Sequence, residues 1–168
     1  MILSTHAVIG SSISYAFGLN PVSSFISGFL SHFIFDLIPH WDYHLESSHI
    51  HPEKNHLSNK GELLRDLSKI FIDFTIGVGL SVFIFHSGSL LAILAGAFGA
   101  MSPDFMHLLY SKFPNGLIVS FYKFHTWIHS DLRLDDRPIL GPALQIMIML
   151  IFIYASIALN NLFLPHFI

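Results

Sequence analysis

The chain has 168 residues, of which 52% are hydrophobic and only 11% are charged, and its formal net charge is −3. Soluble domains carry about 25% charged residues, so this composition, with a mean hydropathy of +0.61, predicts an integral membrane protein. The small negative charge argues against a nucleic-acid partner, and the lack of cysteine excludes disulfides and thiolate metal sites.

Five apolar stretches are candidates for membrane-spanning helices, which need about 20 mostly apolar residues. They cover approximately 3–19, 21–39, 67–86, 89–110 and 139–164. The first stretch has no Lys or Arg before its apolar run, so we expect no cleaved signal peptide. Small residues recur every four positions in the first and fourth stretches, which predicts close helix packing there: Gly10, Ser14 and Gly18, then Ala92, Gly96 and Ala100.

The segment 116–132 is apolar but carries Lys123, His125 and His129, so it is too short and too polar to span comfortably. We predict a helix at the membrane interface, with its aromatic residues at headgroup depth. The expected fold is therefore a single all-α domain over 1–168, a polytopic membrane helix bundle of about five transmembrane helices plus one interfacial amphipathic helix.

All eight basic residues fall on one side of this arrangement or beside it, in or near the loops 40–66 and 111–138. Short loops rich in Lys and Arg stay in the cytoplasm. We therefore expect a multi-pass protein of the inner membrane with a cytoplasmic N-terminus and an external C-terminus. The basic residues are Lys54, Lys60, Arg65, Lys69, Lys112, Lys123, Arg133 and Arg137.

Ionisable residues within apolar stretches are costly and usually functional, and this topology brings eight of them to the cytoplasmic edge. We expect Pro103 to kink the fourth helix at this level. Five histidines are among the eight, in a chain with 12 histidines in all. The set comprises His6, His32, Asp36, Asp73, Asp104, His107, His125 and His129.

The pairs His32–Asp36 and His125–His129 are each four residues apart, which places both members on one helical face. Imidazole and carboxylate groups are ligands for zinc, manganese and iron, so we predict a site for one or two divalent ions, zinc first. The candidate ligands are His6, His32, Asp36, Asp104, His125 and His129, with His40 and Asp42 as secondary candidates. Candidate catalytic residues are Asp73, Asp104 and His107. The alternative is that these groups only tie the helices together by hydrogen bonds.

The segment 44–56 contains four histidines among polar residues and is predicted to be a solvated loop, with a lid over the site as one interpretation. The chain contains no GxSxG motif, phosphate-binding glycine loop or cysteine nucleophile. With those motifs absent, the mechanism that we expect is metal-assisted hydrolysis of an ester or phosphoester. The expected partners are membrane lipids, and the expected substrate is a lipid-like molecule that reaches the site from the inner leaflet. A metal or proton transporter or channel, and a non-catalytic scaffold, are the alternatives; the oligomeric state stays open.

Four short segments carry a family resemblance: "STHAVIG", "GFLSHFIFDLIPHWD", "GAFGAMSPDFMHLL" and "FHTWIHSDL". They resemble motifs of the YdjM-like family of predicted membrane-bound metal-dependent hydrolases. The resemblance implies a metal-dependent hydrolase of the inner membrane. It places the recurring family positions at His6, His32, Asp36, Asp104, His107, His125 and His129.

Overall fold

A computed structural model describes residues 1–45, 60–112, 115–130, 132 and 134–163, without the side chains at 107, 108, 111 and 112. The described part of the chain is all-α, with no strand, which confirms the predicted class. Its six helices are α1 (Leu3–Ala16), α2 (Pro21–Asp36), α3 (Lys60–Ile84), α4 (Leu90–Lys112), α5 (Gly116–Ile128) and α6 (Leu140–Phe163).

Two helices among the described residues, α3 and α6, are long and apolar enough to cross a membrane. A five-span bundle is therefore not confirmed. The helices α1 and α2 have 14 and 16 residues, about 21 and 24 Å at 1.5 Å per residue, against a hydrocarbon core of about 30 Å. The predicted first span ends early because Gly18 takes a positive φ of 55°, which stops α1 before residue 19.

The next helix begins at once, because Asn20 and Pro21 are both suited to a helix start. The Asn20 side chain accepts a hydrogen bond from the Ser23 N–H at 3.0 Å, and Pro21 occupies the first turn, where a missing N–H costs nothing. Asn115 caps α5 in the same way, through the Ile118 N–H at 3.1 Å.

The short helix α1 is central: it packs against α2, α3, α4 and α6, and most of its residues are buried. Its contact with α4 depends on glycine. A Cβ on either Gly10 of α1 or Gly28 of α2 would collide with the Gly96 carbonyl oxygen of α4. The small-residue strips predicted from the sequence therefore do form close helix contacts, since backbones can approach this closely only without side chains between them.

Hydrogen bonds at both ends of α1 show which helix ends lie together. At its start, the Leu3 N–H donates to Asp73 of α3 at 2.7 Å and the Ile2 N–H donates to Gln145 of α6 at 3.2 Å. At its end, the Tyr15 carbonyl accepts from Asn160 of α6 at 2.7 Å. The start of α1 therefore lies beside the first part of α6, at the end of the bundle where the polar cluster is found.

Candidate metal centre

The segment that follows α2 is fastened to the chain around α5 and α6 by backbone hydrogen bonds. The Ser130 N–H donates to the Asp36 carbonyl at 2.8 Å, and the Leu134 N–H donates to the His40 carbonyl at 3.0 Å. The buried Gln145 side chain donates to the Trp41 carbonyl at 2.6 Å. These bonds bring the end of α2 against the end of α5, so that the two predicted i, i+4 pairs face each other.

Three donor atoms from these pairs form a close triangle. His32 Nε2 and His125 Nε2 each lie 3.0 Å from Asp36 Oδ2, and the two nitrogens lie 3.0 Å from each other. All three side chains are almost completely buried. The sequence placed these residues at one edge of the bundle, and the structure brings their ligating atoms into direct contact.

Two further predicted residues border this triangle. Asp104 Oδ1 lies 3.7 Å from His32 Nε2 and 3.9 Å from His125 Nε2, and its side chain is 29% exposed. The His6 ring stacks on His32 with centroids 4.0 Å apart. His6 Nε2 is 3.1 Å from Asp36 Oδ1 but misaligned, so within the described residues it makes no hydrogen bond.

A second group of ligating atoms lies next to the first. His40 Nε2 is 3.2 Å from His129 Nε2 and 3.3 Å from Asp42 Oδ2. His129 Nε2 is also 3.9 Å from Asp36 Oδ2, the same oxygen that faces the triangle. The secondary candidate His40 therefore belongs to a second candidate group with Asp36 and His129, and Asp36 is common to both groups. The other secondary candidate, Asp42, lies beside this group through its contact with His40.

The orientation of His32 is fixed by a carbonyl of α4, one turn away from a proline. Pro103 has no N–H, so the Gly99 carbonyl one turn earlier loses its usual helical partner and accepts from the Ser102 hydroxyl at 2.8 Å. On the next residue, the Ala100 carbonyl lies 2.7 Å from His32 Nδ1. A carbonyl oxygen only accepts, so Nδ1 carries the proton, and a neutral His32 turns an unprotonated Nε2 toward Asp36.

The cluster thus brings the lone pairs of the His32 and His125 Nε2 atoms and of the Asp36 carboxylate close together, with too few protons to form a hydrogen bond in every contact. A single proton on His125 Nε2 can serve only one of its two neighbours, and it leaves the His32 lone pair 3.0 Å from a carboxylate oxygen. Such a contact is favourable only with a cation between the atoms, either an additional proton or a metal ion. Ligating histidines commonly donate their other ring N–H to a backbone carbonyl, as His32 does.

The donor spacing also fits a metal ion. Zinc bonds to nitrogen and oxygen of about 2.0–2.1 Å in tetrahedral geometry place the donors about 3.3 Å apart. The separations around His32 and His125 run from 3.0 to 3.9 Å. The residues therefore match a small divalent ion in both donor type and spacing, although the identity of such an ion does not follow from them.

The Met1 amino group lies next to the cluster, 3.3 Å from Asp36 Oδ1 and 3.1 Å from Asp42 Oδ1. Burial lowers the pKa of this amine, but the carboxylates of Asp42 and Asp36 outweigh it and raise the pKa above its ordinary value. Burial also lowers the pKa of His129 to about 4. This imidazole is therefore neutral at pH 7, the form that binds metal.

Asp73, predicted as a catalytic candidate, has the contacts of a helix cap. Its two carboxylate oxygens accept from the Leu3 and Ser4 N–H groups at the start of α1 at 2.7 and 3.2 Å, where no other side chain caps the helix. Burial and the Asp73 carboxylate together raise the pKa of Tyr43 far above its usual range. A catalytic role for Asp73 stays a prediction.

Other predicted residues lie outside the described part of the chain. The side chain of His107 is one of them, and so are the loop histidines His49, His51 and His56 within 46–59. His44 is described and exposed, and its carbonyl accepts from Lys69 Nζ at 3.0 Å. The lid interpretation of the loop therefore stays a prediction.

Gln145 is the positioning residue that the sequence analysis missed. It is buried, and its amide joins α6 to the Ile2 N–H, the Thr5 hydroxyl and the Trp41 carbonyl. A lone amide within an apolar helix was the available signal, because a polar side chain in such a place needs a partner.

Comparisons with protein-family models, curated proteins and solved structures find no match for this chain. The resemblance to the YdjM-like family therefore stays a proposal. The geometry of the cluster itself is therefore the main guide to the function of this chain.

Proposed function

We propose that this protein is a membrane-embedded metal-dependent hydrolase that acts on an amphiphilic ester, either lipid-linked or a phospholipid, at the cytoplasmic face of the inner membrane. The observation that carries this proposal is the buried triangle of His32, Asp36 and His125, in which His32 is held by the Ala100 carbonyl with its Nε2 toward the carboxylate. The family resemblance agrees with it.

Geometry separates the roles within the cluster. Catalytic zinc sites commonly have three protein ligands and one open position, and the three atoms of the triangle are mutually 3.0 Å apart. A bound divalent ion would supply Lewis acidity, which acidifies water and polarises the ester oxygen. Asp104 is farther away and partly exposed, so we assign it as the general base that accepts the proton from the attacking water.

The depth of the cluster suits a lipid-like substrate. From Pro21 to Asp36 α2 rises about 22 Å, and from Leu90 to Asp104 α4 rises about 21 Å. If the other end of the bundle lies at one boundary of a hydrocarbon core of about 30 Å, the cluster lies just inside the opposite boundary. An ester linkage near a lipid headgroup reaches the same depth.

The helix α5 supports an interfacial position for the site. Among its residues, all of which are described, only His125 is buried. Its Leu117 and Trp127 are 82% and 80% exposed, as expected for a helix whose outer face meets the headgroup region. Together with α3 and α6 as candidate spans and with basic residues grouped on one side, this arrangement supports a multi-pass protein with a cytoplasmic N-terminus.

The test compares two quantities in purified protein reconstituted in lipid vesicles: the metal content and the rate at which lipid esters and phosphoesters are hydrolysed. We expect His125→Ala to lose both metal and activity, and Asp104→Asn to keep the metal while turnover falls at least about 100-fold, the usual scale of general-base catalysis. The exposed His86, at the other end of α3, provides the matched control His86→Ala, which should retain both.

Other outcomes would support the alternatives. Metal or proton flux into the vesicles without hydrolysis of any ester or phosphoester would favour a transporter or channel. Wild-type protein without stoichiometric metal, and a His125→Ala, His129→Ala double variant identical to wild type in every assay, would leave the cluster as structural hydrogen bonding in a non-catalytic scaffold.

A further inference from the structure

We propose that the cluster is a two-ion centre, in which His40, His129 and Asp42 hold a second divalent ion and Asp36 bridges the two ions. This inference rests on the proposed function and deepens it, because a second ion narrows the substrate class. It concerns the second group of ligating atoms, next to the triangle of His32, Asp36 and His125.

His40 is held in the same way as His32. Its Nδ1 lies 2.7 Å from the Ile38 carbonyl, which can only accept, so Nδ1 carries the proton and a neutral ring has an unprotonated Nε2. That nitrogen faces His129 Nε2 at 3.2 Å and Asp42 Oδ2 at 3.3 Å. A backbone carbonyl thus fixes one imidazole in each group in the tautomer that ligates through Nε2.

In the second group, too, there are not enough protons on the ring nitrogens to form a hydrogen bond in every contact. His129 Nε2 is 3.9 Å from both Asp42 Oδ2 and Asp36 Oδ2, and within the described residues its buried Nδ1 has no hydrogen-bond partner. Asp36, His40 and His129 therefore offer three ligand atoms within 4.8 Å of one another. Asp42 Oδ2 lies beside two of them, 3.3 Å from His40 Nε2 and 3.9 Å from His129 Nε2. These imidazole nitrogens and carboxylate oxygens are the kind of ligand that a small divalent ion accepts.

Asp36 is positioned to serve both ions. Its Oδ2 lies 3.0 Å from His32 Nε2 and His125 Nε2 in one group and 3.9 Å from His129 Nε2 in the other. In two-metal hydrolytic sites the ions are about 3.5–4 Å apart. A carboxylate shared by two adjacent sets of ligands, as Asp36 is here, could bridge such a pair of ions.

The charge of a two-ion centre favours a phosphoester over a neutral carboxylic ester. Three carboxylates belong to the cluster, those of Asp36, Asp42 and Asp104. Two divalent ions would carry four positive charges against these three negative ones, and the Met1 ammonium beside Asp36 and Asp42 adds one more, so the loaded centre would be positive and attract an anion. Two-metal sites also stabilise both the attacking and the leaving oxygen of an in-line displacement at phosphorus. A phospholipid or another lipid-linked phosphate ester fits this chemistry.

Metal counting tests the pair. We expect purified wild type loaded with Mn²⁺ and dialysed to retain two ions per chain, His40→Ala to retain one with affinity for the second lowered by about tenfold or more, and His86→Ala to retain two. Helical circular dichroism checks that His40→Ala folds. Electron paramagnetic resonance of the wild type needs no variant: a bridged pair gives an exchange-coupled spectrum, whereas a single ion gives isolated Mn²⁺ lines.

The outcomes separate this inference from the proposed function. A coupled pair in a protein that hydrolyses no ester would support the two-ion centre and overturn the enzyme. Hydrolysis by a protein with one uncoupled ion would overturn the two-ion centre and leave the enzyme. Hydrolysis of carboxylic esters but not of phosphate esters by a two-ion protein would overturn the inferred substrate class. Wild type without any bound ion would overturn both proposals.

Discussion

Replacing Asp73 separates a structural role from a catalytic one. The carboxylate accepts two hydrogen bonds from the first turn of α1, at 2.7 and 3.2 Å, and Ile2 at the N-cap position offers no side-chain acceptor. Loss of a helix cap costs about 0.5–2 kcal/mol, and one hydrogen bond to a charged group contributes about 1.5–3 kcal/mol. Asp73→Ala leaves two N–H groups without this acceptor, so we expect the free energy of unfolding to fall by about 3 kcal/mol.

Asparagine offers an intermediate case. Its amide has one acceptor oxygen, whereas the carboxylate has two. Asp73→Asn should therefore lower the free energy of unfolding by about half as much as Asp73→Ala, roughly 1.5 kcal/mol on the same hydrogen-bond scale. The assay is denaturant titration in mixed micelles, which gives the free energy of unfolding. Thr75→Ala, at an exposed position on the same helix, is the matched control and should change stability by less than about 0.5 kcal/mol.

A helix cap also predicts what does not change. Metal content and turnover per folded molecule should stay within about twofold of wild type in both Asp73 variants. Losing the cap lowers the free energy of unfolding but leaves the activation barrier of the reaction unchanged, and a tenfold loss of turnover would need about 1.4 kcal/mol of additional barrier. Unchanged stability together with a tenfold or larger loss of turnover in Asp73→Asn would refute the cap and restore Asp73 as a catalytic residue.

Three further predictions concern packing, acid stability and topology. Gly96→Ala should destabilise the protein by about 1–3 kcal/mol through overpacking, whereas Gly79→Ala, where a Cβ meets nothing within 4 Å, should be neutral or stabilising by up to about 1 kcal/mol; equal losses in both would contradict the close α1–α4 contact. The unfolded chain protonates His129 near pH 6.5 and the folded chain only near pH 4. The free energy of unfolding of the metal-free protein should therefore fall as the pH drops from about 6.5 to 4. His129→Leu should reduce the dependence of this free energy on pH, and an unchanged dependence would contradict a lowered pKa of His129. In the cysteine-free chain, Arg137→Cys should react with an impermeant thiol reagent only from the cytoplasmic side and His86→Cys only from outside, and labelling of both from one side would overturn the topology.

The helices themselves could be predicted from the sequence because their signals are local. Each predicted run corresponds to one helix, and the structure moves its limits by up to seven residues: α3 starts at Lys60 rather than 67, and α5 ends at Ile128 rather than 132. The strip around Gly96 indicated close packing since only small residues allow it. Crossing of a membrane by five helices could not be settled in this way, because the lengths of α1 and α2 depend on where each turn begins.

The candidate site was partly predictable for the same reason. Spacing of four placed His32 with Asp36 and His125 with His129, and alternation of helix direction placed both pairs at one end of the bundle. Spacing shows which residues share a face, but it does not show which faces meet. The sequence made both Asp73 and Asp104 catalytic candidates, and Asp104 also a candidate ligand; the structure puts Asp73 at the start of α1 and Asp104 beside the triangle.

The sequence by itself determined the all-α class, the six helices and the two His-containing pairs, because apolar runs, caps and i, i+4 spacing act within one segment of chain. Only the tertiary structure decided that His40 and Asp42 join His129 in a second group, and that the Ala100 and Ile38 carbonyls fix the rings of His32 and His40. The physical reason is that ligand geometry depends on atoms brought together across the bundle. A shift of one ångström there alters a site while leaving every helix in place.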